Sequence, residues 1–412
     1  MSKHIFLNSE VIFLESKEER MSKFVKDYLE MFEELDLSNI PRYNKGVGAS
    51  GYDQHSLIKA MIVYAKEGYR SIPQLIRELE AKPYLSTHVL GFRNTIPESS
   101  TFYRFLKNFD SDQLLSICSK VNVKKFNDTG YQLETLAIDS KPIVANTKEN
   151  NPKCFIHNLS DKTKLPKRNE ESALGFMTST NDINGKANTI YFWGYRIHLI
   201  VDADNDTPLV WKVEPANVKD SKVAPELYAL LQNNYSSCFA EKLTQTADKA
   251  YDSRNVFESF YETCHGYSAI SKNSRNSKPD KELAPNGSPV CRAGFAMRFS
   301  SSWYDKKGRC QRNKFSCPSS PSECEQRNTK NGCIKYLQNS DPIKGKIECF
   351  TQAFEKVYSK RQSVERVNAF ITKVGFDFPN HFIKSSIKSL VGFTMLAKAL
   401  SNKRIASVKL AA

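Results

Sequence analysis

The feature that most narrows the fold of this chain is a change of hydrophobic period near residue 131. Before it, stretches such as RMSKFVKDYLEMFEELD and QHSLIKAMIVYAKEGY repeat apolar residues at spacings of three and four, the period of a helix with one buried face. After it, YQLETLAIDSKPIVAN alternates and is rich in β-branched residues, which reads as a strand carrying Asp139 within it. NTIYFWGYRIHLIVDADNDTPLVWKVEP follows as two strands joined by the turn DNDTP. Then come APELYALLQNN as a helix, TQTADKAYDS as a strand end entering a turn, SRNVFESFYETCH as a helix and YSAISK as a strand. Hairpins give antiparallel pairs and helical crossovers give parallel ones. The order therefore predicts an α/β domain whose mixed sheet is flanked by helices.

The same reading divides the chain. Residues 1–126 are expected to form an all-α N-terminal domain that binds DNA, and 131–272 the first part of the α/β domain. Residues 273–350 form a polar, Cys-rich insertion without clear periodicity, and 351–412 complete the α/β domain and end in a basic helix. Ser71 and Gln74 have capping-box spacing before PQLIRELEA, and Ser99, Ser100 and Thr101 are expected to cap FYRFLKNF. The two short helices around GFRNTIPES fit a helix-turn-helix or an ordinary helical bundle equally well.

With 40% hydrophobic and 11% aromatic residues the chain can bury a core, which excludes a wholly disordered protein. Its formal charge of +15 points to a polyanionic partner, nucleic acid first, although a ribosomal or membrane-surface role fits the charge alone. Through residue 130 there are 18 Lys and Arg against 17 Asp and Glu, and beyond it 42 against 28, so the excess lies in the later part. From residue 381 onward Lys384, Lys388, Lys398, Lys403, Arg404 and Lys409 occur without one acidic residue, as a phosphate-binding stripe or a solvated helix face. No apolar run approaches the roughly 20 residues that span a bilayer, and no signal-peptide pattern opens the chain; no membrane association and a cytoplasmic location are expected.

Asp139 in LAID, Asp248 in TADKAYDS and Glu365 on a helix after the insertion are the candidate chemical groups. A charge in a buried strand is costly unless a partner compensates it, and clustered carboxylates repel one another unless a cation lies between them. Hard oxygen ligands in small number suit Mg2+ or Mn2+. At helical spacing Tyr358, Arg361, Glu365, Asn368 and Thr372 share one stripe, beside an apolar stripe of Val357, Val364, Val367, Ile371 and Val374. His198 reads as a structural strand histidine, and Asp220 as the cap of the following helix or a supporting group near the metals. Cys291, Cys310, Cys317, Cys324 and Cys333 lack the tight pairs that mark a zinc site.

Taken together, AIDSKPI, GYRIHLIVDAD, ANVKDS, TADKAYDS and YSKRQSVERVNA resemble the insertion-sequence transposases of the DDE class, over roughly residues 52–110 and 131–400. In that family the glutamate signature is Tyr, two residues, Arg, three residues, Glu, six residues, Lys. The chain matches it at Tyr358, Arg361 and Glu365 and departs at Thr372, with Lys373 one residue late. The resemblance implies a ribonuclease H-like catalytic domain in which Asp139, Asp248 and Glu365 bind two Mg2+ or Mn2+ ions and catalyse cutting and strand transfer. It implies DNA contacts by Tyr358, Arg361 and Lys373, and double-stranded DNA partners in the form of terminal inverted repeats and target DNA. A homodimer or higher oligomer on DNA, association with the nucleoid when bound, and a structural Zn2+ at the cysteines follow from the same source. A domesticated transposase that only binds DNA, or a ribonuclease H-like nuclease that only cleaves, are the alternatives.

Overall fold

The computed structural model describes residues 23–43, 51–92, 95–151, 153, 165–180, 187–273, 283–284, 286–307, 310–318, 324, 332–339 and 343–402. The chain packs as two compact units, one of residues 1–125, 144–172 and 370–403, the other of 126–143, 173–369 and 404–412. The tail residues Lys403, Arg404 and Lys409 lie outside the described residues.

The first unit is helical: α1 (23–33), α2 (Gln54–Glu67), α3 (Ile72–Glu80), α4 (Ser99–Asn108), α5 (Ser111–Thr129, shared with the second unit) and the late helix α10 (Lys384–Ser401). Helix α2 starts where Asp53 accepts from the His55 amide and stops at Gly68, whose φ of 70° is the left-handed conformation that only glycine adopts without strain. Every residue from Ser56 to Ala65 except Lys59 is buried, so α2 is a central helix, and α10 packs on it and on α4. Phe105, Phe109 and Phe393 join their rings between α4 and α10 at centroid distances of 5.0–6.1 Å. Lys125 donates to the carbonyls of Ala399 and Leu400 in the last turn of α10, the first of which also accepts from the Asn402 amide.

Ser71 caps α3 as its spacing predicts, accepting from the Gln74 amide at 3.3 Å. The expected cap at Ser99, Ser100 and Thr101 is not formed: the helix begins at Ser99, and Glu98, extended at ψ 161°, holds the cap position without a side-chain bond. A residue already inside the first turn cannot cap it. Between α3 and α4 lies a π-helical turn, Leu85–Val89, within a connection too long for a helix-turn-helix, so the bundle reading describes this pair.

The second unit carries the mixed sheet, in the order β2 (Ala173–Thr180), β3 (Ala187–Asp202), β1 (Leu133–Val144), β5 (Phe239–Ala247), β6 (Tyr267–Ile270), with β4 (Thr207–Pro215) also on β3. Strands β3 and β4 form the expected antiparallel hairpin, and β5 runs parallel to both β1 and β6. The crossovers are α6 (Asp220–Tyr235) and α7 (Arg254–Cys264), which bury Leu227, Tyr228, Leu231, Val256, Phe257 and Phe260. Leu133, Leu136, Ala137 and Ile138 of β1 are almost wholly buried, placing this strand at the centre of the core.

Two parts were not foreseen. Strand β2 lies between the first two strands read from the sequence, where no element was assigned, and pairs with β3 along its whole length, from Ala173 opposite Gly194 to Thr180 opposite Ala187. Gly175 permits it, since a Cβ there would lie 2.6 Å from that of Ala216. The insertion contains a three-stranded sheet, β7 (Arg298–Asp305), β8 (Cys310–Ser316) and β9 (Ile334–Asn339), over a small cluster of Cys291, Met297 and Phe315. Most of β7 is exposed, so its sequence lacks the alternation by which a half-buried strand is recognised. Among the described residues no helix is long and apolar enough to cross a membrane.

Helix α10 approaches α5 through Gly392, where an added Cβ would lie 2.6 Å from Leu114 Cδ1 and 3.0 Å from its Cβ. Gly392→Val should therefore destabilise the chain by about 1–3 kcal/mol through overpacking. Chemical denaturation reads this directly; an unchanged midpoint would contradict the close helix contact.

Candidate active site

Strands β1 and β5 run in register with Ile138 opposite Ala247, so the next residue on each, Asp139 and Asp248, leaves the same edge of the parallel pair. Asp139 continues β1, whereas Asp248 opens a 3-10 turn, Lys249–Tyr251, and accepts from the Ala250 amide at 2.8 Å. The capping and the catalytic readings of Asp248 are thus compatible, because the bond that fixes its backbone leaves carboxylate lone pairs unused.

Burial pushes the Asp139 carboxyl up to about 7; the negative charges of Asp248 and Asp220 add to the rise, while the Ser140 amide and Arg361 oppose it. Burial also raises Asp248, with the charge of Asp220 behind it. Tyr251 is buried among the same three carboxylates, and its hydroxyl is held protonated by burial first and by Asp220, Asp139 and Asp248 next.

The third element is a helical segment made of α8 (Gln352–Tyr358), a 3-10 turn (Ser359–Arg361) and α9 (Gln362–Lys373). The predicted apolar face is real over α9, where Val364, Val367, Ile371 and Val374 are buried, while Val357 before the turn is only partly covered. The polar side carries through the 3-10 turn: Arg361 lies beside Tyr358 and pairs with Glu365, and Asp139 is met both by the charge of Arg361 and by Asn368. Glu365, half exposed, pairs with Arg361 at 2.7 Å. Asn368, one turn on, donates from Nδ2 to Asp139 Oδ2 at 3.0 Å. Tyr358 stacks on Phe354, with the Arg361 guanidinium 5.9 Å from its ring centre, and Lys373 ends α9 as an exposed residue.

Sequence reasoning gave Asn368 no role and left Asp220 as a helix cap or a supporting group near the metals. The cap position of α6 is Lys219, and Asp220 instead turns to His198, with Nδ1 3.2 Å from its Oδ1. Burial would raise the Asp220 carboxyl, but its contacts with His198 and Ser140 and the Arg196 charge outweigh burial and hold it low. Arg196 reaches Ser140 Oγ at 3.4 Å and the carbonyls of Phe176 and Ala216, so β1, β2 and β3 converge behind Asp139. Only the pairing of strands distant in sequence makes this network visible.

The donor set fits a hard divalent cation: two carboxylates on neighbouring strand ends with raised proton affinity, and no Lys or Arg bonded to either in the contacts described. Glu365 stands engaged with Arg361, and among the described residues no three His, Cys, Asp or Glu side chains are placed to share one ion. The insertion's cysteines do not converge either. Cys291 and Cys333 pack with Met297 and Phe315 as small apolar side chains, and Cys310 is buried.

Residues 130–401 match the family described as the transposase DDE domain, and the chain belongs to that family. It is a DNA transposase, of the polynucleotidyl transferase and endonuclease class, and DDE transposases use divalent metal ions. No curated protein matches the chain significantly. Among solved structures it is similar to the piggyBac transposase synaptic complex with hairpin DNA, at 11% identity over 94% of this chain and 74% of that one, with a TM-score of 0.39. It is also similar to the Mos1 transposase paired-end complex with left transposon end, at 11% identity over 55% of this chain and 61% of that one, with a TM-score of 0.17.

The raised carboxyl of Asp139 makes stability depend on pH. Its folded value of about 7 lies above the ordinary 3.8, so the folded chain holds a proton that the unfolded chain has lost, and this stabilisation disappears as pH rises through that window. In metal-free protein, Asp139→Asn should melt progressively higher than wild type as pH increases from about 4 to 8. Parallel melting curves for the two proteins would contradict the burial of this charge.

Proposed function

We propose that the chain is the transposase of a bacterial insertion sequence, which binds the terminal inverted repeats of its element and cuts and rejoins DNA with Asp139, Asp248 and Glu365. The observation that carries the reading is the pair Asp139 and Asp248 on adjacent strand ends, with α9 bonded to Asp139 through Asn368, in a chain of the DDE family. Asp139, Asp248 and Glu365 would hold Mg2+ or Mn2+, in two sites. Bound there, such ions supply Lewis-acid chemistry, making a water or 3′-hydroxyl more nucleophilic and stabilising the leaving 3′-oxygen.

The remaining work belongs to the protein. Asn368 occupies one oxygen of Asp139 and so directs the other outward. Arg361 holds Glu365 in an i, i+4 surface pair of a kind worth only about 0.3–0.5 kcal/mol, which a DNA phosphate can displace. Arrival of DNA would then free Glu365 for its metal and leave Arg361 on the backbone. In cutting, the water oxygen forms a bond to phosphorus as the bond to the 3′-oxygen breaks, leaving a 3′-hydroxyl. In joining, that hydroxyl attacks a phosphorus of the target. Tyr358 and Lys373 would add backbone contacts, and two element ends call for a dimer or higher oligomer, working on nucleoid DNA in the cytoplasm.

The chain should bind duplex DNA bearing its flanking inverted repeat, and Asp139→Ala should preserve that binding while removing Mg2+-dependent cleavage. Retained cleavage refutes the assignment. Cleavage by wild type without joining to a target would favour a nuclease.

A further inference from the structure

We propose that the turn between β3 and β4 is the positioning device of the active site: Asp204 and Asp206 receive Lys360 and Arg366, and these two ion pairs set where Glu365 and Asn368 stand over Asp139. The inference rests on the catalytic assignment above but concerns residues outside it.

Lys360 and Arg366 bracket Arg361 and Glu365 in the sequence. Lys360 sits in the 3-10 turn beside Arg361, and the two take different partners, Lys360 the acidic turn and Arg361 the carboxylate of Glu365. Lys360 pairs with Asp204 at 2.5 Å and donates to Thr135 Oγ1 at 3.2 Å. Thr135 is buried on β1, four residues before Asp139, and its carbonyl accepts from the Ala203 amide of the turn at 2.9 Å. Turn, strand and helix entry thus meet at one residue.

Arg366 makes the second contact with both limbs of its guanidinium, Nε to Asp206 Oδ2 at 2.8 Å and Nη2 to Oδ1 at 2.6 Å. A two-pronged bond between planar groups fixes rotation as well as distance, which a single contact does not. Arg366 adjoins Glu365 and lies two residues before Asn368, so the rotation it fixes is the one that aims both.

The receiving end is itself built. Asp206 is buried at 2% exposure and holds a φ of 55°, a left-handed conformation that persists when the surroundings impose it. Beneath it the fully buried Asp202 accepts from Tyr131 Oη at 3.0 Å and Asn205 Nδ2 at 2.9 Å. An acidic turn so firmly held, with its two outer carboxylates engaged by α9 and the turn before it, is a fixed stop against which the helix is registered.

The test uses the full-length chain, duplex DNA carrying the flanking inverted repeat, and the variants Arg366→Gln, Arg366→Lys, Asp206→Asn and the Arg366→Gln/Asp206→Asn double. Four readouts are taken: DNA binding, thermal midpoint, Mg2+-dependent cleavage, and Mn2+ affinity from the free-ion EPR signal. Arg366→Gln and Asp206→Asn should each lower cleavage and Mn2+ affinity by roughly ten- to a hundredfold, as loss of a ligand's support does, with DNA binding and midpoint unchanged. The double variant should be no worse than either single, and Arg366→Lys should recover part of the loss. Cleavage and Mn2+ affinity within about twofold of wild type, losses that multiply in the double, or a midpoint that falls in step with activity would each overturn the proposal. Glu365→Gln serves as reference: if it still cleaves, the catalytic assignment fails, whereas an inactive Glu365→Gln beside a fully active Arg366→Gln refutes the positioning role alone.

Discussion

A carboxylate at the end of the buried run Leu136, Ala137, Ile138 is the most demanding placement in this molecule, and much of the surrounding architecture answers to it. Water is largely excluded from Asp139, so its negative charge must be met by the protein or by a bound cation. Asn368 and the Ser140 amide supply neutral donors, and Arg361 supplies charge from a distance. Asp248 and Asp220 work in the opposite sense, adding negative potential where one carboxylate is already costly. Such a concentration of like charge has a purpose in a family that uses divalent metal ions.

The surrounding cations are distributed so that they do not fill that place themselves. Arg196 attends Asp220, which also contacts the His198 ring, Lys360 and Arg366 attend the acidic turn, and Arg361 is drawn to Glu365. Asp204, Asp206 and Glu365 thus each have a basic partner, while Asp139 and Asp248 have hydrogen bonds from neutral groups. Burial alone does not draw this distinction, since Asp202 and Asp206 are as deeply buried as any group at the centre.

Most of the sheet was legible because its strands announce themselves locally: β1 by alternation, β3 and β4 by the hairpin DNDTP, β5 and β6 by the helices between them. Strand β2 escaped because its pairing partner, not its own composition, makes it a strand, and β7 because a mostly exposed strand has no hydrophobic period to read. At the site, Asp139, Asp248 and Glu365 stood out as acids in apolar or patterned settings. Asn368 did not, because its meaning lies in a contact with a residue 229 positions away. The break at Ser359–Arg361 was likewise invisible, since helical spacing carries straight through it on paper.

The helical unit draws on three separated stretches of chain, and its centre is completed only by α10 lying on α2 and α4. A ribosome delivers the polypeptide from its first residue at about 5–20 residues per second, so the early helices emerge tens of seconds before the one that covers them. Until then the apolar surface of α2 waits for a partner encoded far later in the message. A product truncated before α10 would lack that cover and present an incomplete helical unit, which ties the finished state of the early helices to the synthesis of a distant one.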